Sequence, residues 1–267
     1  MPAADVSAPD AAADLALLVP AAAEAGRIAL GFFKRDQEVW MKAGESPVSE
    51  ADFAVDLFLR ETLLAARPDY GWLSEETEDS PARLAARRTF VVDPIDGTRA
   101  FLAGRDVWCV SIAVVEDGEP LAAALECPAK TESYQATRGG GSCLNGRRLA
   151  VRSAGEPFTV AGPRQLIEAT PRDWHRRLTT VPYIPSLAYR LAMVAAGDLD
   201  ASYVRANSHD WDLAAADLMV REAGGQVLDR AGEPLRYAGE HVRRNVLAAG
   251  SGPLLRVMTE VIARFDG

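Results

Sequence analysis

The hydrophobic positions of this chain change period twice. Residues 11–34 are alanine-rich, with Leu15, Leu18, Val19, Ala22 and Ala29 near one face, which predicts a helix. Pro20 lies inside this run, at the helix start or at a kink. The stretch "SEADFAVDLFLRETLLAARPD" predicts a second helix. Ser49 is its N-cap, and Asp52 stands three residues on, as in a capping box. Phe53, Leu57 and Leu64 give the apolar stripe, and Pro68 closes it. The period then falls to that of strands. Thr89-Phe90-Val91-Val92 is an apolar run that reads as one strand. "WCVSIAVVEDGEPLAAALECP" reads as two strands around Asp117-Gly118. "ESYQATRGGGSCLNGRRLAV" continues as strand, broken by a Gly-rich turn and by Asn145-Gly146.

Past residue 150 helix and strand alternate. "PFTVAG" is strand-like, and "SLAYRLAMVAAG" is a helix capped by Ser186 and stopped at Gly197. "DASYVR" is a short strand, "WDLAAADLMVREAGG" a helix and "QVLD" a strand. The reading is therefore a leading tail (1–10), an α+β half with an antiparallel sheet (11–150) and an α/β half with a parallel or mixed sheet (151–267).

Composition narrows the class. Of 267 residues, 48% are hydrophobic and 25% charged, which suits a packed globular core. The net charge of −9 disfavours a grip on nucleic-acid polymers and is compatible with holding divalent cations. Cys109, Cys127 and Cys143 form no C-x-x-C, so neither a disulfide framework nor a cysteine zinc site is indicated. His175, His209 and His241 lack metal spacing, and no G-x-S-x-G is present. "MPAADVSAPD" has no basic start and no apolar h-region, so it does not read as a signal peptide. No uninterrupted apolar run of about 18 residues occurs. A cytoplasmic protein without a membrane span is the expectation.

The chemistry concentrates in "DPIDGT", residues 93–98. A strand delivers Asp93, and Asp96, Gly97 and Thr98 sit where a helix can begin. A helix start offers free N–H groups to a phosphate. Two carboxylates there would repel that phosphate unless a hard cation such as Mg²⁺ lay between. A plain strand end with a turn and a cap accounts for the same residues without chemistry. Glu75 and Glu76 follow another apolar stretch, and Asp210 and Asp212 open the Ala-rich helix. Alone, the first pair reads as a solvated loop and Asp212 as a cap.

Together, "LSEET", "VVDPIDGTRAF" and "WDLAAADLMVREAGG", with the upstream "KAGESPVSEAD", resemble the signatures of the inositol monophosphatase superfamily. The D-x-D-x-T of the haloacid-dehalogenase phosphatases differs, because two residues separate Asp93 from Asp96. The resemblance implies a layered αβαβα sandwich and two or three Mg²⁺ ions. It implies Glu75, Asp93, Asp96, Asp212 and the Ile95 carbonyl as ligands. It implies that Gly97 and Thr98 bind phosphate through N–H groups. Asp52 would bond the Thr98 hydroxyl, and Thr98 with Glu75 would activate the attacking water. Lys42 matches a lysine of the first segment.

The substrate would be a small phosphorylated metabolite, and inhibition by lithium and a homodimer are further family expectations. The inositol-specific members carry a Glu seven residues before the last metal Asp, where this chain has Arg205. "YVR" resembles the Tyr-x-Arg of the 3'(2'),5'-bisphosphate nucleotidases, which makes adenosine 3',5'-bisphosphate the leading expectation. Inositol monophosphate and histidinol phosphate are the alternatives, and a catalytically silent binding protein is the alternative of another class. Ser186 is expected at the substrate pocket, preceded by Pro185 where relatives often have Gly.

Overall fold

The computed structural model describes residues 11–42, 47–152 and 155–265. The leading segment 1–10 and the part of "KAGESPVSEAD" at 43–46 lie outside the described residues. Helices α1 (Ala11–Phe32) and α2 (Glu50–Ala66) pack together, joined through a short antiparallel hairpin of β1 (Val39–Met41) and β2 (Pro47–Ser49). Pro20 is accommodated inside α1. By length and composition α1 could reach across a membrane, with a mean hydropathy of 1.5. Its Leu18, Ala21, Ala22, Ala25 and Ala29 are buried against α2 and the sheet that follows.

That sheet contains β3 (Gly71–Ser74), β4 (Arg88–Asp96), β5 (Cys109–Glu116), β6 (Glu119–Cys127), β7 (Glu132–Thr137), β8 (Gly141–Leu144) and β9 (Arg147–Arg148), side by side in chain order. The short α3 (Thr98–Leu102) follows β4. All neighbours are antiparallel except β3 and β4, which run parallel. Phe90 and Val92 of β4 face α1 and α2, while Val91 faces the opposite side. Both faces are buried, which is why the strand reads as an unbroken apolar run.

The C-terminal half supplies β10 (Phe158–Ala161), α4 (Arg164–Ala169), α5 (Arg172–His175), β11 (Leu178–Thr180), α6 (Leu187–Ala196), β12 (Ala201–Val204), β13 (Ser208–His209), α7 (Asp210–Glu222), β14 (Gln226–Leu228), β15 (Arg243–Arg244), β16 (Leu247–Gly250) and α8 (Gly252–Ala263). Five of its strands form a mixed sheet in the order β11-β10-β12-β16-β14. Helices α6 and α7 lie between the two sheets, and α4 and α8 cover the outer face of the smaller one. The layers alternate helix, sheet, helix, sheet, helix, as the resemblance implies.

The middle layer explains the alanines. Ala188, Ala192 and Ala195 of α6 and Ala214, Ala215 and Ala216 of α7 are all buried in one core. A helix enclosed between two sheets has no solvent face, and small residues let the layers approach. Ser186 caps α6 by accepting the Tyr189 N–H at 3.1 Å, and Gly197 ends it in the left-handed region at φ 78°.

Candidate active site

Three elements deliver the acidic residues to one place. β4 carries Asp93 and Asp96 to its C-terminal end, where pairing with β5 slips by one residue between them. Pro94 lies inside that irregularity and has no N–H to donate. Parallel pairing of β3 with β4 brings the next residue alongside: the Glu75 N–H donates to the Val92 carbonyl at 3.2 Å. Asp212 sits in the first turn of α7 and accepts the His209 N–H through Oδ2 at 2.7 Å. Glu75, Asp93 and Asp212 thereby offer carboxylate oxygens all within 4.8 Å of one another. Asp93 Oδ1 is buried with no hydrogen-bond partner.

Such a group is electrostatically unsatisfied on its own. Burial, then the charges of Glu75, Asp96 and Asp212, push the Asp93 carboxyl well up. Burial, then Asp96 and Glu75, do the same to Asp212. Converging oxygen donors that repel one another are what a hard divalent cation neutralises, so these residues fit Mg²⁺.

Asp96 stands beside this trio rather than in it. Its Oδ2 accepts the Ser186 hydroxyl at 2.6 Å and the Ala188 N–H at the start of α6. Burial raises its carboxyl to about 6 against the pull of these bonds. The Ser186 hydroxyl is thus buried and turned to Asp96. The Ile95 carbonyl accepts the Thr98 hydroxyl at 3.1 Å. That hydroxyl also lies 3.4 Å from Asp52 Oδ1. Asp52 Oδ2 takes the Ser49 N–H at 2.8 Å and the Ser49 hydroxyl at 2.7 Å, so one carboxylate caps α2 and reaches Thr98. Burial raises Asp52 to about 6.

Gly97 holds the turn into α3 at φ 97°. A Cβ there would stand 3.0 Å from the Val107 carbonyl oxygen and 3.2 Å from Ser186 Cβ. Gly97→Ala is therefore expected to lower stability by about 1–2 kcal/mol and to depress turnover by moving the Thr98 N–H. Urea denaturation with parallel kinetics checks both.

Several placements were not evident from spacing. Lys42 donates to Glu75 at 3.0 Å and Glu76 at 2.6 Å, tying the first segment to the acidic trio. Glu76, read as part of a solvated run, is largely buried, and burial pushes it to about 7 against the pull of Lys42. Asp210, two residues from Asp212, is buried on a different errand: it binds Arg244 at 2.6 Å and the Ala238 N–H at 2.7 Å. His209 stacks flat on Trp211 with ring centres 4.6 Å apart. Arg190 of α6 is buried, with its Nε unpaired and Nη2 on the Tyr203 carbonyl at 3.3 Å. Arg205 is exposed and lines a cleft with residues of α4 and the chain around β15.

The pattern of the Inositol monophosphatase family matches residues 10–264. An inositol-1-monophosphatase of Rhizobium meliloti is 34% identical over 262 residues, covering 94% of this chain and 96% of that protein. A histidinol-phosphatase of Chlorobaculum parvum is 32% identical over 256 residues, covering 90% and 97%. The crystal structure of the extragenic suppressor protein suhB from Bartonella henselae superposes with a TM-score of 0.83 at 30% identity, covering 94% and 99%. Fold and carboxylates together define a metal-dependent phosphoric monoester hydrolase. The chain belongs to the inositol monophosphatase family.

Proposed function

We propose that this protein releases phosphate from a small phosphorylated metabolite with Mg²⁺ held by Glu75, Asp93 and Asp212, and with Asp96 and the Ile95 carbonyl close by. The observation that carries the reading is the buried, unpartnered Asp93 oxygen among two further carboxylates. When bound, Mg²⁺ supplies positive charge that polarises the phosphate and acidifies water. The chain's own groups do the rest. The first-turn N–H groups at Gly97 and Thr98 have no intrahelical partner and suit phosphate oxygens. Asp52 steadies the Thr98 hydroxyl, whose oxygen then orients the attacking water. Glu75 takes the proton released as the water adds to phosphorus and the ester P–O bond breaks, and the departing alkoxide takes a proton from solvent water to leave as the alcohol. Lys42 keeps the Glu75 carboxylate in place from the other side.

The names of the relatives support inositol 1-phosphate and histidinol phosphate as substrates. A specific observation favours a second reading. Arg190 is a buried guanidinium with an unpaired nitrogen, and burial pulls its pKa below the ordinary value. A buried cation without a carboxylate partner is unfavourable unless an anion arrives. A substrate with a second anionic group, such as adenosine 3',5'-bisphosphate, would supply one.

Phosphate release from inositol 1-phosphate, histidinol phosphate, adenosine 3',5'-bisphosphate and fructose 1,6-bisphosphate in Mg²⁺ buffer tests these readings. Turnover of at least one compound, abolished by excess EDTA and slowed by lithium, is the expected result. Equal turnover with and without EDTA would overturn the metal-dependent reading, and the fastest substrate decides between the two substrate classes.

A further inference from the structure

Glu75 stands where the chain leaves its sheet. β3 is an edge strand, with β4 on one side and no strand on the other. The bond from the Glu75 N–H to the Val92 carbonyl is the last backbone tie of this segment to β4 among the described residues. A segment departing from a sheet edge keeps its shape only through other bonds. Here side chains make them, and they converge on Asp56 of α2. Its Oδ1 accepts the Ser74 hydroxyl, and its Oδ2 accepts the Thr77 hydroxyl at 2.6 Å. Asp56 is buried, and no lysine or arginine bridges it among the described residues.

The direction of these bonds requires a carboxylate. Ser74 Oγ accepts the Glu76 N–H at 3.3 Å, and Thr77 Oγ1 accepts the Trp72 indole N–H at 3.2 Å. Each hydroxyl has one proton to give, and both give it to Asp56. A carboxylate accepts on both oxygens, whereas a carboxamide accepts on one and would turn N–H groups towards the other hydroxyl. The result is a bracket, anchored on Asp56, that closes on either side of Glu75 and Glu76. Lys42 engages the two carboxylates themselves and does not fix the chain beneath them.

Helix α2 carries a second buried carboxylate one turn earlier. Asp52 and Asp56 are four residues apart, which places them on one face of the helix. Asp52 reaches Thr98, which follows β4, while Asp56 reaches the flanks of Glu75, which follows β3. Val55, Leu59 and Leu63 seat α2 in the same core as Phe90 and Val92 of β4. One firmly seated helix therefore sets both groups assigned to water activation, Thr98 and Glu75.

We propose that Asp56 is a positioning residue for Glu75: by holding the Ser74 and Thr77 hydroxyls it keeps the Glu75 carboxylate within reach of Asp93 and Asp212. The expected effect on turnover rests on the phosphomonoesterase reading; the effect on metal binding rests on the carboxylate trio alone. Groups that orient a metal ligand from behind contribute about 10–100-fold in affinity or activity.

The test compares the full chain with Asp56→Asn, Thr77→Val and Thr77→Ser. Thr77 is half-buried, so its valine variant removes one bond without disturbing the core. Calorimetric titration with MgCl₂ is expected to show a dissociation constant raised about tenfold in Asp56→Asn and in Thr77→Val. Thr77→Ser keeps the hydroxyl and is expected to recover the parent affinity to within about twofold. At saturating Mg²⁺, kcat for the fastest of the four phosphate esters is expected to fall about tenfold in the first two variants, with KM little changed. A merely structural role would lower the Tm of the metal-free protein and leave the Mg²⁺ affinity of the folded variants unaltered. That result, or a dissociation constant within about twofold of the parent in both Asp56→Asn and Thr77→Val, would overturn the proposal. Where Asp56→Asn does not fold, the two Thr77 variants carry the test.

If the parent turns over none of the esters, the phosphatase reading fails separately and the Mg²⁺ titration decides the role of Asp56. If the parent binds no Mg²⁺ either, amide hydrogen exchange across residues 74–77 of the metal-free protein decides it. Exchange about tenfold faster in Thr77→Val, and restored in Thr77→Ser, supports the bracket; unaltered exchange overturns it.

Discussion

Asp93→Asn is expected to lower kcat by about 10³-fold or more, equivalent to roughly 4 kcal/mol of transition-state stabilisation, while circular dichroism stays that of the parent. The reason is local. Asp93 is almost wholly buried at the end of β4, and one of its oxygens has no protein partner. The substitution keeps its volume and removes the charge that a cation needs. It also removes repulsion from Glu75, Asp96 and Asp212. The metal-free variant is therefore expected to melt at or above the temperature of the metal-free parent, and added Mg²⁺ should raise its Tm much less. A variant that turns over normally would remove Asp93 from the site. One that is inactive because it has unfolded would show that its role is in the fold.

The metal-free protein is expected to lose stability as pH rises. Asp52 and Asp96 are both raised to about 6 by burial, from an ordinary value of 3.8. A carboxyl raised on folding contributes stability that is complete below the unfolded value and disappears as pH climbs through the folded one. Asp93 and Asp212 shift in the same direction. Taking Asp52 and Asp96 alone, the loss between pH 5 and pH 8 is on the order of 3 kcal/mol, or about 5–10 °C in Tm. Mg²⁺ competes with protons for the same oxygens, so its stabilising effect should be small at pH 5 and large at pH 8. Thermal melts in EDTA and in Mg²⁺ at both pH values check this. A metal-free Tm that climbs towards pH 8 would contradict the repulsive cluster.

Much of the architecture is legible because its signals are local. Ser49 with Asp52, Ser186 and Gly197 mark helix ends through bonds made within a few residues. Thr89 to Val92 reads as strand because both of its faces are buried, and Asp117-Gly118 turns the hairpin. The three-residue strands β1 and β2 are too short for any period to show. Helix α8 carries Leu254, Leu255, Met258, Val261 and Ile262 at helical spacing, and all five are buried.

The site divides along the same line. The chain by itself determined that "DPIDGT" places two carboxylates, a turn and a helix start within six residues, since bonded neighbours cannot be far apart. Which distant acids join them was decided only by tertiary structure. Asp210 and Asp212 look equivalent in sequence, yet a helix turns about 100° per residue, so the two point to different sides. Asp212 meets Asp93 and Glu75, while Asp210 meets Arg244. Glu75 arrives through the parallel pairing of β3 with β4, and Lys42 through a contact between residues 33 positions apart. Arg190 reads as an ordinary helical arginine until the packing of α6 against β12 buries it. Sequence spacing sets what lies within one turn or one strand; the approach of separate elements, driven by burial of their apolar faces, sets everything else.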